Sequence, residues 1–446
     1  MDINTPQIIA TLQNETPSPV ASSERIKTID VVRGVALLGI LLMNINGFGI
    51  DESVFFTIDR GPHDTADFRT DQVIDVFFSG TMRGLFSMLF GAGMILFTMN
   101  KKETLGGVTI AELYYRRLLL LVLFGVINAY VLLWPGDILY FYGLAGMLLY
   151  PFRKTAVKWL FLLGIVCIGI GMLKNQLGYN ETREKRAAYV EVVKAEKAGK
   201  TLTAEQQQAK TVWLEIQNRK PDLERKDRNI RKRQSGYGTI FTYFIPRNSD
   251  IETWEMYHGV WDSLCMMFLG MALLGIGFFS NKLSTSTYAM GLLIGYGIGI
   301  PIGWIMFNAP FTVSWNFGAY VDAYRVPHWA LYDFKRVFLC LGHASLIMLV
   351  FRSRIIPWLM RGLANVGRMA FTNYLMQSIL CTLFFNGYGL GYYNQLKYHQ
   401  LYFVVAAVWV FQIIFSAFWL RYYQFGPFEW LWRSLTYWKK QPMLKK

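Results

Sequence analysis

Long apolar runs, separated by short polar connections, dominate this chain. Ten segments read as membrane helices: 31–48, 73–99, 113–134, 138–151, 159–173, 260–279, 288–307, 334–351, 369–386 and 401–420. A helix needs about 20 apolar residues to cross the hydrocarbon core, and most of these runs approach or exceed that length. The pattern predicts an all-α polytopic membrane protein of about ten transmembrane helices with a helical extracytoplasmic insert. Residues 1–24 are polar, lack the basic-then-apolar order of a cleaved signal peptide, and read as a disordered tail. The expected partition is an N-terminal membrane half at 25–173, a charged insert at 174–257, a C-terminal membrane half at 258–421, and an interfacial helix with a basic tail at 422–446.

Charge orients these spans. Lys and Arg gather before the first span (Arg25, Lys27), after the second (Lys101, Lys102, Arg116, Arg117) and after the fourth (Arg153, Lys154, Lys158). They recur after the eighth (Arg352, Arg354, Arg361, Arg368) and at the end (Lys439, Lys440, Lys445, Lys446). With ten spans all of these fall on one side, which the positive-inside rule assigns to the cytoplasm, with both termini there. The insert then lies outside. Gly199 and Thr201 divide it, "TAEQ" from Thr203 is a capping box for its second helix, and Pro221 ends that helix before "ERKDRNIRKR". This predicts a helical hairpin packed on the membrane body, its basic run free to meet anionic headgroups.

Composition agrees. The hydrophobic share is 53% and the charged share 17%, against roughly 25% charged in soluble domains. The net charge of +15 divides among topology signals, the insert, and a few charges within or beside the spans. A positive face outside the cell excludes nucleic acid as a partner. The four cysteines each sit inside an apolar run without paired spacing, and read as buried free thiols. The five histidines show no ligand pattern, so no metal is expected.

Charges and amides inside spans are the candidates for chemistry, because they are costly in a bilayer and face a bundle interior or a cavity. Arg83 lies a third of the way along the second span among glycines, and serves either as an interhelical clamp or as a substrate group. Asp75, two turns earlier, is near the same face. In the ninth span Asn373 and Gln377 share one face, with Tyr374 and Ser378 nearby; they either bind helices together or line a substrate path. At the first span Asp30 is placed as N-cap, with Arg33 one turn on, near enough to pair with it or with a lipid phosphate. Asn44 lies eleven residues, about 16 Å, beyond Arg33, where capping does not require it. After the last span, "FGPFEWLWRSLTY" reads as an interfacial helix with Glu429 and Arg433 four apart and Trp430 beside them.

Four separated motifs, "RIKTIDVVRGVALLGILLMNINGFG", "RGLFSMLFGAG", "GRMAFTNYLMQSILCTLFF" with "GYGLG", and the closing "FGPFEWLWRSLTY", resemble the YeiB-type family of bacterial inner-membrane proteins. That likeness runs from about Arg25 to Tyr437 and implies topology more than activity; the family's members usually end in a domain of unknown function. The aspartate–arginine–glycine entry of the first span is distantly similar to transmembrane acyltransferases such as the heparan glucosaminide acetyltransferase. This resemblance implies acyl-coenzyme A as cofactor, used from the cytoplasm, with an acceptor modified on the far side. It also implies a functional asparagine at the end of the first span, matched by Asn44, and a histidine soon after, for which the first candidate is His63. His258 and His328 are rival bases, and His343 can line a cavity. Arg33, Arg116 and Arg117 are placed to hold coenzyme A phosphates. Two other classes stand beside acyl transfer: a transporter or flippase for a small metabolite or lipid, and a non-catalytic lipid-binding scaffold. Small-residue faces also allow a homodimer.

Overall fold

The computed structural model describes residues 26–51, 65–99, 104–105, 108–217, 223–314 and 316–445. The expected tail at 1–24 and Pro221 lie outside these residues. The helices, in chain order, are α1 (Lys27–Gly49), α2 (Ala66–Phe78), α3 (Thr81–Met99), α4 (Ile110–Val126), α5 (Leu139–Leu149), α6 (Val157–Lys197), α7 (Ala204–Gln217), α8 (Leu223–Arg233) and α9 (Tyr237–Asp250). They continue with α10 (Met256–Gly275), α11 (Thr285–Asn308), α12 (Phe317–Ala323), α13 (Tyr332–Ser353), α14 (Pro357–Arg368), α15 (Ala370–Phe385), α16 (Tyr398–Tyr422) and α17 (Pro427–Tyr437). A two-residue antiparallel pairing, Thr104–Leu105 with Val108–Thr109, is the only sheet among the described residues.

The chain is an all-helical polytopic membrane protein. Each of the ten expected segments is mostly helical, the second divided at Ser79–Gly80. By length and apolar composition, six helical stretches among the described residues can cross a bilayer, and a seventh if Tyr237–Trp254 and Gly259–Gly275, bent by 59°, form one span. The helices differ in how they meet their surroundings. Of its most apolar window, α1 has 78% buried, against 28% for α16, which presents Phe403, Val410, Ile414 and Phe418 outward. Thus α1 is the central post and α16 is peripheral.

Two ends of the bundle can be named from α1. At its start α14 lies so close that a Cβ on Gly34 would meet the Leu363 carbonyl, and one on Gly367 the Asp30 carbonyl; only glycine permits that approach. The closing helix α17 also docks here, through Trp432, whose Nε1 donates to the Arg117 carbonyl at 2.9 Å. We call this the near end. At the far end, the Gly49 carbonyl of α1 accepts from Asn394 N at 2.7 Å, and Gly49 packs against Phe385 and Leu401.

The insert departs from expectation in three ways. One helix, α6, runs unbroken across the expected boundary at 173/174. Its 41 residues span about 60 Å, twice the thickness of a hydrocarbon core, so its second half projects beyond the membrane. The basic run does not present all its charges to solvent or lipid: Arg233 is buried, donating to Asn386 Oδ1 at 2.8 Å and to the carbonyls of Phe48 and Gly47 at 3.1 and 3.4 Å. A cation thereby meets the carbonyls at the C-terminus of α1, where the helix dipole favours it. Finally α9, within the expected hydrophilic insert, is apolar and packs Ile240 and Phe244 against Leu133. The hairpin itself forms as predicted. Thr203 and Gln206 exchange the two capping-box bonds at 3.0 and 3.3 Å, and Lys210 meets Glu196 at 2.6 Å across the α6–α7 pair.

Candidate functional site

A buried carboxylate at the far end draws several elements together. Beyond α4 the chain makes a five-residue π segment, Ile127–Val131, then turns tightly with Leu133 in the left-handed region (φ 58°). Trp134 stacks on Phe48 of α1, with centroids 3.7 Å apart. The turn ends in Asp137, whose Oδ2 accepts from Tyr140 N at 2.9 Å and so holds the first turn of α5. Its Oδ1 accepts from Asn128 Nδ2 at 2.7 Å and from Tyr374 Oη at 3.4 Å, while Tyr374 Oη accepts from Ile138 N at 3.0 Å. Burial pushes the Asp137 carboxyl up to about 6, and the hydrogen bonds from Tyr140 N, Asn128 and Tyr374 hold it from rising further. Asn128 Oδ1 beside it, and Asn46 Oδ1 on α1, are buried and have no hydrogen-bond partner among the described residues, while the buried Trp134 N–H turns to the Tyr374 hydroxyl. A carboxyl that titrates near neutrality next to unpaired polar atoms is unusual in a packed core, where such groups are normally bonded.

A second constellation lies at the break between α2 and α3. The chain leaves α2 at Ser79, passes Gly80 at φ +72°, and re-enters a helix at Thr81. The exposed carbonyls of the break are taken by α13: Lys335 Nζ donates to the Asp75 carbonyl at 2.8 Å and Cys340 Sγ to that of Thr81 at 3.1 Å. His343 Nε2 lies 3.0 Å from the Phe77 carbonyl, and its Nδ1 lies 2.7 Å from Tyr296 Oη. Irregular backbone in a membrane protein persists only where such partners bury it. Arg83, one turn into α3, meets Asp262 Oδ2 of α10 at 2.6 Å. Asp262 also pairs with Arg336, which meets Asp333 Oδ1 at 3.0 Å. Arg336 and Lys335 are buried, whereas the Arg83 side chain is 45% exposed. Tyr142 of α5 links the constellations: its hydroxyl donates to the Arg83 carbonyl at 3.1 Å and lies 2.6 Å from Ser87 Oγ.

The residues singled out from sequence are distributed unevenly over these places. Tyr374 belongs to the carboxylate corner and Arg83 to the break. Asn373 and Gln377 share a face as expected, and both are buried. Asn373 Nδ2 donates to Ser416 Oγ at 2.9 Å, Gln377 Nε2 to Gln412 Oε1 at 3.1 Å, and Gln412 Nε2 to the Asn373 carbonyl at 2.7 Å. Ser378 is buried, and its carbonyl accepts from Thr382 Oγ1 at 2.7 Å. Asn44 is half-buried on α1, one turn before Phe48. His63 lies outside the described residues, as does the side chain of His258. His328 Nδ1 lies 2.8 Å from Tyr320 Oη in an aromatic cluster around Trp213 and Trp329.

Three expectations require correction. Asp30 is not the N-cap: α1 begins a turn earlier, with Ile26 at that position, because Thr28 anchors its hydroxyl on the Phe279 carbonyl at 2.6 Å. Asp30 instead pairs with Arg33 at 3.0 Å, as predicted for that couple. Glu429 turns to α15, a role its spacing to Arg433 does not predict. It is buried and caps the start of α15, accepting from Phe371 N, Thr372 N and Thr372 Oγ1 at 2.7, 3.0 and 2.5 Å. Burial pushes its carboxyl up, against the pull of those hydrogen bonds. Arg433 lies over the Phe425 ring, and Trp430 Nε1 donates to the Gln441 carbonyl at 2.8 Å. Arg116 and Arg117 turn inward onto α17: Arg117 stacks on Trp432 at 3.9 Å, and Arg116 Nη1 donates to the Thr436 carbonyl at 3.2 Å. The four cysteines are buried and free, as read from sequence.

Sequence reasoning missed Asn128, Asp137, Asp262, Asp333, Lys335 and Arg336. "WPGDIL" carries no distinguishing signal, because a polar residue between two apolar runs marks a connection whether or not it is buried. For the others the signal was present: "YDFKRVF" opens an apolar run with three charges in four residues.

The family model described as "Protein of unknown function (DUF418)" matches residues 273–439, from the end of α10 through α17. YeiB of Escherichia coli (strain K12) is 30% identical over 430 residues, covering 95% of this chain and 99% of the relative. YxaH of Bacillus subtilis (strain 168) is 29% identical over 447 residues, covering 96% and 98%. No solved structure matches. With helices from α1 to α17 lying within the shared length, the chain belongs to the YeiB-type family.

Proposed function

We propose that this protein is a membrane acyltransferase of the bacterial inner membrane, with both chain ends in the cytoplasm, taking an acyl group from acyl-coenzyme A to an acceptor at the far end of the bundle. The observation that carries this reading is the Asp137 corner: a buried carboxyl held at about 6, with the Tyr374 hydroxyl and the buried Trp134 N–H gathered beside it. A general base works best with a pKa near the operating pH, and an acyl transfer also needs a donor for its oxyanion. In this scheme the Asp137 carboxylate takes the proton of an acceptor hydroxyl or amine. The acceptor atom attacks the thioester carbonyl carbon, and Trp134 Nε1–H steadies the oxyanion. Collapse re-forms the carbonyl, breaks the carbon–sulfur bond and releases coenzyme A, whose thiolate takes up a proton. Asn44, one turn before the Phe48 on which Trp134 stacks, is the neighbouring amide. Asp137 takes the role first assigned to His63. With Arg116 and Arg117 turned onto α17, Arg33 at the near end is the remaining candidate for the coenzyme A phosphates.

A second reading, transport of a small metabolite or lipid, is favoured by the α2–α3 break, since discontinuous helices commonly build substrate sites in transporters. Thermal unfolding of the purified protein with acyl-coenzyme A separates the two. A ligand at a hundred times its Kd stabilises by about 2.7 kcal/mol, so a clear upward shift is expected, lost in Arg33→Ala and kept in Asp137→Asn. Turnover by Asp137→Asn, followed as free coenzyme A thiol with a membrane extract as acceptor, should fall by about 10²–10⁴-fold. No shift with any acyl-coenzyme A at millimolar concentration would sink acyl transfer and leave transport ahead.

A further inference from the structure

The ionic cluster at the α2–α3 break has features that packing alone does not require. Arg336 is 1% exposed, yet its Nε has no hydrogen-bond partner among the described residues. Its side chain lies along the break, with Cδ 3.1 Å from where a Gly80 Cβ would stand and Cγ 3.3 Å from that of Gly84. The 19-residue helix α3 begins at the same point, and its first-turn amides point there by the geometry of any helix N-terminus. Arg83 completes the group from the open side, with nearly half its side chain exposed. The Asp262 carboxylate, itself 22% exposed, bridges the two guanidinium groups, and the Tyr332 hydroxyl is hydrogen-bonded to Arg83 at the break. An N–H donor buried without an acceptor, beside a helix N-terminus and an accessible arginine, is chemistry suited to an oxyanion.

We propose that the break between α2 and α3 is a binding site for the oxyanion of a phosphate- or carboxylate-bearing ligand, held by Arg83, the Arg336 Nε–H and the first turn of α3, with the Asp262 carboxylate as the internal anion it displaces. Asp333 stays with Arg336 on its buried side, and Lys335 stays on the Asp75 carbonyl, so the site keeps its walls when Asp262 swings out. The site lies next to the Asp137 corner through Tyr142, but the proposal goes beyond acyl transfer and needs no acyl donor.

The test is anion binding by thermal shift, with the protein in nanodiscs. Inorganic phosphate and acetate are titrated in discs of phosphatidylcholine alone. A parallel arm uses discs containing phosphatidylglycerol and no added anion. The expected result is stabilisation in at least one arm, lost in Arg83→Gln, and affinity about tenfold tighter in Asp262→Asn because the internal competitor is gone. A shift with soluble anion identifies a free metabolite; a shift with phosphatidylglycerol alone identifies a lipid headgroup. A merely structural ion pair predicts the opposite for Asp262→Asn, lower stability with no anion response, and that result overturns the proposal. Should Asp262→Asn not fold, wild type against Arg83→Gln decides: an anion shift that survives Arg83→Gln, or no shift in wild type, overturns it equally.

Discussion

The polar stripe of α15 and the charged break between α2 and α3 pose the same problem to a bilayer and answer it differently. On α15, Asn373 and Gln377 are enclosed and their amide N–H groups are hydrogen-bonded to α16, while their side-chain oxygens are buried with no partner among the described residues. At the break, Arg83 is half-exposed, Arg336 keeps an unpaired N–H, and the backbone itself is interrupted. The first arrangement has the marks of helix association, where polar contacts hold neighbours together. The second keeps polar atoms available under a partly open surface, which packing does not need. Within a membrane helix, it is accessible polarity beside an interrupted backbone, more than polarity itself, that points to function.

Substitutions can break or sharpen this contrast. Arg336→Met should be the most damaging, at about 3–5 kcal/mol, because it leaves Asp262 and Asp333 without their shared buried cation. Thermal unfolding in detergent checks this, and a small loss would remove the ionic core from the comparison. Gly80→Ala follows at about 2 kcal/mol, since the residue sits at φ +72° and its Cβ would meet the Tyr332 hydroxyl. Glu429→Gln should cost about 1 kcal/mol as a weakened cap of α15. It also carries a pH signature. The folded carboxyl is raised, so the wild type loses stability as pH climbs from the ordinary carboxylate value through the raised one, and the variant should lack that slope. Asn373→Ala and Gln377→Ala should each cost about 1 kcal/mol or less; a loss matching that of Arg336→Met would erase the distinction. Lys194→Ala, on an exposed pair with Glu191 at 2.7 Å, should stay within about 0.5 kcal/mol and sets the baseline.

Much of the scaffold was legible in one dimension. Hydropathy located the ten helical segments, and the Thr203 capping box and the Asp30–Arg33 couple formed as read. These depend on neighbours within a turn, so local sequence contains the whole interaction. Glu429 shows the limit: its spacing to Arg433 says nothing of the amides at the start of α15, which are hydrogen-bonded to it. Arg233 shows the same limit within a basic run that looked wholly solvated.

By itself, then, the sequence determined the membrane setting, the helices and the family, since each follows from composition, periodicity or motif order along the chain. Tertiary structure alone decided which polar groups meet. Asp137 finds Tyr374 across 237 residues, and Arg83 finds Asp262 across 179. Such partnerships, and the atoms they leave unpaired, arise from burial and distance between helices, and neither quantity is written in the spacing of residues on one helix.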